Sequence, residues 1–442
     1  MMTHHIVCQV GEKDQFVPVV ASDDVTHIVA IDRPGDKHLI RNSIAEGCAL
    51  AQFQPAAVVR DLVNFAMAVY SADVGIFRTT GYDSWTRDFY LHLPVHDTKL
   101  WSNAIQTITD MLSFLTGDHW MIDIRPITSP YSPYSFENSD NPPLIFNAVS
   151  LFSGGLDSFI GAIDRLESGD ILALVGHHGA GTTNKFQEQA HAAIESEYKE
   201  KSLLFPFYVQ PPKLSGTEYE KTTRSRSILF LCLGSTIAAS IGNGTRLFVP
   251  ENGLISLNPP LINCRMGTLS TRTTHPHFIQ LFRNVLNALA IDVLVETPYR
   301  FRTKGEMAQG VLNTDVFLNG VHNTLSCSHP DAGRYSGFSP GQHCGYCVPC
   351  IIRRACLKTI GLDDPSKVII DVLKNRPPIT SDKGQDVRAF EMALERFATL
   401  DPRRLLFDVI DTGPIPPEEI AEFVAVYKRG MLEVQQLFVD GD

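Results

Sequence analysis

The stretch Asn147-Ala148-Val149-Ser150-Leu151-Phe152 runs directly into Ser153-Gly154-Gly155-Leu156-Asp157-Ser158, and from there into a helical pattern over 157–166. An apolar run of strand length, a glycine-rich turn and a helix start together make an anion site. Glycine lets the backbone approach oxygen closely, and the free N–H groups and the helix dipole favour negative charge. Ser153 and Ser158 add hydroxyl donors. Asp157 would repel phosphate on its own, so it reads as a helix cap or as a ligand for the Mg²⁺ that accompanies a nucleotide. On turn chemistry alone, a capped turn without any ligand stays open. Other nucleotide motifs fail. There is no G-x-x-x-x-G-K-[ST], and Gly179-Ala180-Gly181 begins a dinucleotide pattern whose third glycine position holds Asn184.

Outward from this loop, strand-like and helix-like runs alternate across 144–362. Strands are expected at 145–152, 171–175, 203–209, 246–249 and 291–296, and helices at 157–166, 185–198, 226–241 and 276–289. That alternation predicts an α/β unit: a doubly wound parallel sheet covered on both faces, with ligands at the carboxyl ends of its strands. Residues 1–143 precede it as an expected α+β accessory domain with strands at 27–31 and 89–93, helices at 56–70 and 100–115, and a Ser/Pro-rich linker at 128–143. Residues 363–442 read as a helical extension, broken at Pro377-Pro378 and at 414–417.

The bulk numbers bound the function. With 442 residues, 44% hydrophobic, the chain is globular and of more than one domain, and its formal charge of -11 argues against a broad nucleic-acid surface. The N-terminus lacks a basic segment followed by an apolar one, and the most apolar run, 227–241, is too short to span a bilayer. A cytoplasmic protein without membrane attachment is expected.

Four of the nine cysteines, Cys327, Cys344, Cys347 and Cys350, are spaced C-x16-C-x2-C-x2-C. The short gaps let several thiolates face one tetrahedral ion, with Cys327 closing the site from a distance. Four sulfur ligands leave no open position for water, so a structural Zn²⁺ is expected; an iron–sulfur cluster is the rival for the same ligands. His329 and His343 are alternative ligands, read as exposed loop residues. Arg353 and Arg354 are expected to bring positive charge toward the thiolates. Cys356 is expected in the core, and Cys8, Cys48, Cys232 and Cys264 as ordinary thiols.

The SGGLDS segment resembles the loop of the PP-loop ATP pyrophosphatases. Its pairing with a late C…CGxCxxC cluster resembles QueC, the 7-cyano-7-deazaguanine synthase family, over roughly residues 145–362. Further likenesses are 225–230 (SRSILF), Thr297-Pro298 with 303–306 (TKGE), Ser326-Cys327, and 344–353 (CGYCVPCIIR). The resemblance implies ATP held by Ser153, Gly154, Gly155, Asp157 and Ser158. It implies catalytic roles for Ser153, Asp157, Arg226 and Lys304, and cleavage of ATP to AMP and pyrophosphate. Glu251 and Asn252, after another expected strand, are candidate substrate contacts. The chain departs from the family in length, in reading His177-His178-Gly179-Ala180 at the second-strand loop, and in its longer Cys327–Cys344 gap. Long forms of this layout look like QatC, the QueC-like component of the Qat anti-phage system. That likeness implies a carboxylate substrate of deazapurine type and a possible protein partner in the same system. A housekeeping synthase with added domains and a nucleotide-sensing subunit without turnover are the alternatives.

Overall fold

The structure is a computed structural model that describes residues 2–134, 145–216, 218–222, 224–261, 271–334, 337–339, 341–378, 380–398 and 402–439. Among the described residues, ten strands form two sheets. They are β1 (Thr3–Val10), β2 (Val25–Ile31), β3 (Arg41–Asn42), β4 (Asp88–Val95), β5 (His119–Pro126), β6 (Ala148–Leu151), β7 (Leu172–His178), β8 (Ser202–Gln210), β9 (Thr245–Phe248) and β10 (Val293–Glu296). The first sheet has the order β2-β1-β4-β5 and is parallel throughout. The second has the order β10-β9-β6-β7-β8-β3. Its first five strands are parallel, and β3 pairs antiparallel to β8 at the edge.

Every residue of β6 is buried, as a strand covered on both faces requires. Its side chains alternate between two cores. Val149 and Leu151 enter the core shared with the helices Arg226–Ile241 and Pro276–Ala288. Ala148 and Phe152 enter the core shared with Leu156–Glu167 and Thr183–Glu195. The strand order turns about β6, with β7 and β8 on one side and β9 and β10 on the other, so a crevice opens at its carboxyl end.

Leu62, Phe65 and Val69 of the helix Ala57–Gly75 lie in one continuous core with Leu229, Cys232 and Leu233 of the helix Arg226–Ile241. β3, from the N-terminal region, completes the second sheet. Of the expected linker, 135–143 lies outside the described residues. Just before it, Tyr131 and Tyr134 pack under the Arg60 guanidinium at 4.2 and 4.4 Å, and the Tyr131 hydroxyl donates to Asp61 at 2.6 Å.

The C-terminal region contributes the helices Asp382–Ala398, Pro402–Ile410 and Ile420–Val439. The last packs in a third core together with Cys344, Cys347 and Cys350. Cys8, Cys48 and Cys232 are buried core thiols, as is Cys356; Cys264 lies outside the described residues. Among the described residues no helix is long and apolar enough to cross a membrane.

Candidate active site and cysteine cluster

A cavity of about 420 Å³ opens at the carboxyl end of β6. Ser153, Gly155, Asp157, Ser158, Arg226, Glu251, Lys304 and Ser326 all line it. The loop after β6 turns sharply at Gly154, whose φ is +77°. A Cβ there would also come within 3.0 Å of the Gln187 backbone nitrogen, so both conformation and space require glycine. The Ser153 hydroxyl accepts from the Gly155 N–H at 3.2 Å and lies 3.2 Å from the Ser158 hydroxyl. The loop is clamped from across the cavity: the Leu325 N–H donates to the Gly154 carbonyl at 2.8 Å, and the Ser326 hydroxyl accepts from the Leu156 N–H at 3.1 Å.

Asp157 is 6% exposed and Lys304 is 5% exposed, and their charged groups meet at 2.5 Å. Lys304 opens the helix Lys304–Gln309, which starts on a Thr303/Glu306 capping box. The final helix fixes this turn, because the Glu433 carboxylate accepts from the Thr303 hydroxyl and from the Gly305 N–H. Burial pushes the Asp157 carboxyl up, but the Lys304 ammonium and hydrogen bonds from its neighbours outweigh it and hold Asp157 below the usual range. Glu251 is the counterpart. Burial and then the Asp157 charge hold its carboxyl well above the usual range.

The sequence grouped Asn252 with Glu251 as a substrate contact. Glu251 lines the cavity, but Asn252 is absent from its wall. Its side-chain NH₂ donates to Asp157 at 2.6 Å and its amide oxygen caps the helix Gly253–Leu257 through the Ile255 N–H at 3.1 Å. Asn252 orients Asp157. Arg226 faces the cavity with its guanidinium held by His177, whose carbonyl and Nδ1 accept from it at 3.0 and 3.2 Å.

Next to this cavity the four sulfurs of Cys327, Cys344, Cys347 and Cys350 all lie within 4.8 Å of one another. The Cys344 and Cys350 sulfurs are 3.8 Å apart. Four ligands at the usual Zn–S distance of about 2.3 Å give tetrahedron edges of about 3.8 Å, so the thiols fit a Zn²⁺ ion. The backbone N–H groups of His329 and Cys344 donate to the Cys327 sulfur at 3.3 and 3.4 Å, as second-shell support for a metal thiolate would. Cys327 directly follows the Leu325-Ser326 clamp, so the cluster anchors the segment that closes on the glycine-rich loop.

Some neighbouring residues depart from expectation. His343 is not exposed: it is half-buried and accepts from the Ser326 N–H at 3.3 Å. His329 is exposed, as expected, with its ring 5.5 Å from that of Tyr346 between centroids. Arg353 donates to the Thr324 hydroxyl at 2.7 Å and the Val321 carbonyl at 2.8 Å. Arg354 pairs with Asp363 at 2.9 Å and Asp371 at 2.8 Å. Both arginines therefore brace the loops around the cluster instead of reaching the thiolates.

Fold and site together define an α/β protein with a glycine-rich anion loop at a parallel-sheet crevice and a four-cysteine cluster beside it. No protein-family model matches the chain. Among curated proteins it is similar to the 7-cyano-7-deazaguanine synthases of three Methanococcus maripaludis strains. With strains C5 and C7 it shares 23% identity, and with strain C6 22%, each over an alignment 242 residues long that covers 51% of this chain and 99% of the relative. This distant similarity supports a QueC-like, PP-loop type of protein over half the chain.

Proposed function

We propose that this chain is an ATP-dependent adenylating enzyme on a doubly wound PP-loop core. Its substrate carboxylate, of 7-carboxy-7-deazaguanine type, attacks the α-phosphorus of ATP. The bond from that phosphorus to the bridging oxygen breaks, and pyrophosphate leaves with the electron pair. An amine then attacks the acyl carbon of the acyl-adenylate, and AMP departs as the carbon–oxygen bond breaks. Activation is needed because a carboxylate oxygen leaves poorly and AMP leaves well.

The observation that carries this reading is the convergence of Ser153–Ser158, Arg226, Glu251 and Lys304 on one cavity. Backbone N–H groups and serine hydroxyls are set to receive phosphate oxygens. Arg226 and Lys304 supply fixed positive charge where charge develops on pyrophosphate. Asp157 and Glu251 offer the hard oxygen donors that Mg²⁺ takes. Mg²⁺ bound there would neutralise phosphate charge.

The setting we propose is anti-phage defence, resting on the likeness to long QatC-type chains, with the acceptor amine on a partner protein. The housekeeping alternative, a small-molecule nitrile synthase, draws on the complete coverage of the short curated relatives by half of this chain. The test uses a carboxylate labelled with ¹⁸O. One ¹⁸O should pass into AMP, and a partner protein should gain the mass of the acyl group. Label in AMP without a protein conjugate favours the small-molecule reading. Unlabelled AMP rules out acyl-adenylate formation.

A further inference from the structure

Arg226 stands at the end of a segment that begins after β8, and the N-terminal region holds that segment along its length. The Ser215 hydroxyl donates to the Gly75 carbonyl at 2.6 Å, and the Glu220 N–H donates to the Val74 carbonyl at 2.8 Å. The Glu220 carboxylate accepts from the Arg78 N–H at 2.9 Å. Arg224 donates to the Thr116 carbonyl at 2.8 Å.

The tightest grip is one carboxylate. Oδ2 of Asp73 accepts from the Ser225 hydroxyl at 2.6 Å, the Ser225 N–H at 3.1 Å and the Thr222 hydroxyl at 3.2 Å. Its Oδ1 pairs with Arg87 at 2.6 Å and approaches Arg78 at 3.6 Å. Asp73 is fully buried. Ser225 is the N-cap of the helix Arg226–Ile241 and makes no side-chain cap of its own. The carboxylate from the other sheet's helix stands in for that cap, where helix-dipole charge favours it.

The second support of Arg226 leads to the same helix. His177, which accepts from the Arg226 guanidinium, meets the Tyr70 ring edge-on at 5.7 Å. Tyr70 and Asp73 are three residues apart on Ala57–Gly75 and so share a face. An appendage kept only to dock a partner would need neither contact.

We infer that the N-terminal region is a built-in part of the active site, with Asp73 as the positioning residue that sets Arg226 through Ser225 and Thr222, and Tyr70 seconding it through His177. This rests on the proposed ATP-binding role of the cavity. Asp73 touches no substrate and acts only through Arg226, so its effect on ATP should vanish when Arg226 is gone.

The test is a double-mutant cycle on the full chain, read by calorimetric ATP binding and by deuterium uptake over 218–227. Ser225→Ala removes one hydroxyl bond and leaves the Asp73–Arg87 pair whole, so the fold is kept; Asp73→Asn is the second variant. Uptake over 218–227 should quicken while that over 344–350 does not. ATP binding should weaken about tenfold with Arg226 present, since the lost bond is to a charged group, and by less than about twofold in Arg226→Ala. A merely structural role would weaken binding equally in both backgrounds, and that result overturns the inference. So does parent-like uptake in both variants, or an Arg226→Ala chain that binds ATP like the parent. If the parent itself binds no ATP, the reading of the cavity fails and takes the inference with it, whatever the uptake.

Discussion

Replacing Lys304 with methionine isolates the ion pair at the heart of the cavity. Methionine keeps most of the aliphatic stem and removes the charge. Asp157 is then left as a buried carboxylate beside a second carboxyl. Removing one partner of a buried pair costs about 3–5 kcal/mol. Asn252 still donates to Asp157 through its side chain and its backbone N–H, at 2.6 and 3.3 Å. That residual support places the expected loss at the lower end, about 3 kcal/mol. The pH dependence has a definite sign. In the parent, Asp157 is held below the usual carboxyl range, so its contribution is present above the unfolded value of about 3.9 and is lost as pH falls. In the variant, burial, the largest influence on Asp157, is opposed only by hydrogen bonds from Glu251 and Asn252, and the folded carboxyl rises above the unfolded one. The folded state then binds the extra proton, so the penalty is largest at neutral pH and shrinks as pH falls toward that of the unfolded carboxyl. Urea unfolding followed by circular dichroism at neutral and mildly acidic pH reads both effects. A variant whose midpoint matches the parent at both pH values would refute a buried Lys304–Asp157 pair.

Glu251→Gln should act oppositely on stability. Because its carboxyl is held above the usual range by burial and Asp157, the parent loses stability as pH rises past the unfolded value of about 4.3. The amide should therefore leave the thermal midpoint equal or higher at neutral pH while slowing pyrophosphate release; a lower midpoint counts against a Glu251 carboxyl held up by burial and Asp157. Cys347→Ser should lower bound zinc from about one per chain toward none and depress the unfolding midpoint, because a structural metal contributes directly to folding. Elemental analysis showing full zinc retention, or an unchanged midpoint, would remove the metal from the account. Ser326→Ala deletes only the acceptor for the Leu156 N–H, a loss of about 1 kcal/mol; calorimetry should show ATP binding about fivefold weaker, and unaltered binding would mean the clamp is idle.

Much of the second sheet could be read directly. Its strands are continuous apolar runs closed by turn residues, and the run at 246–249 differs from β9 by one position. The glycine-rich turn after β6 was legible because glycine and serine chemistry is local. The four cysteines were legible because sulfur spacing is itself the signal. β3 was not: two residues carry no periodicity, and Arg41 and Asn42 become a strand only by meeting Gln210 and Val209. Asp73 and Tyr70 were equally silent. Their link to Arg226 comes from partners more than a hundred positions away, Ser225 for Asp73 and His177 for Tyr70. Asn252 was read with Glu251 as a substrate contact because both follow an expected strand, yet Glu251 lines the cavity while Asn252 donates to Asp157 and caps the helix Gly253–Leu257. The arginines after Cys350 were read as charge near thiolates, but a guanidinium needs several acceptors, and the carbonyl of Val321 and the carboxylates of Asp363 and Asp371 supply them.

The most direct test of the central proposal is the fate of ATP. Purified full-length chain is incubated with Mg²⁺, ATP and a carboxylated 7-deazapurine, and the products are separated by ion-exchange chromatography. AMP and pyrophosphate in equal amounts are expected, dependent on the carboxylate and lost in Asp157→Ala. ADP and orthophosphate, or AMP formation that persists in Asp157→Ala, would contradict it.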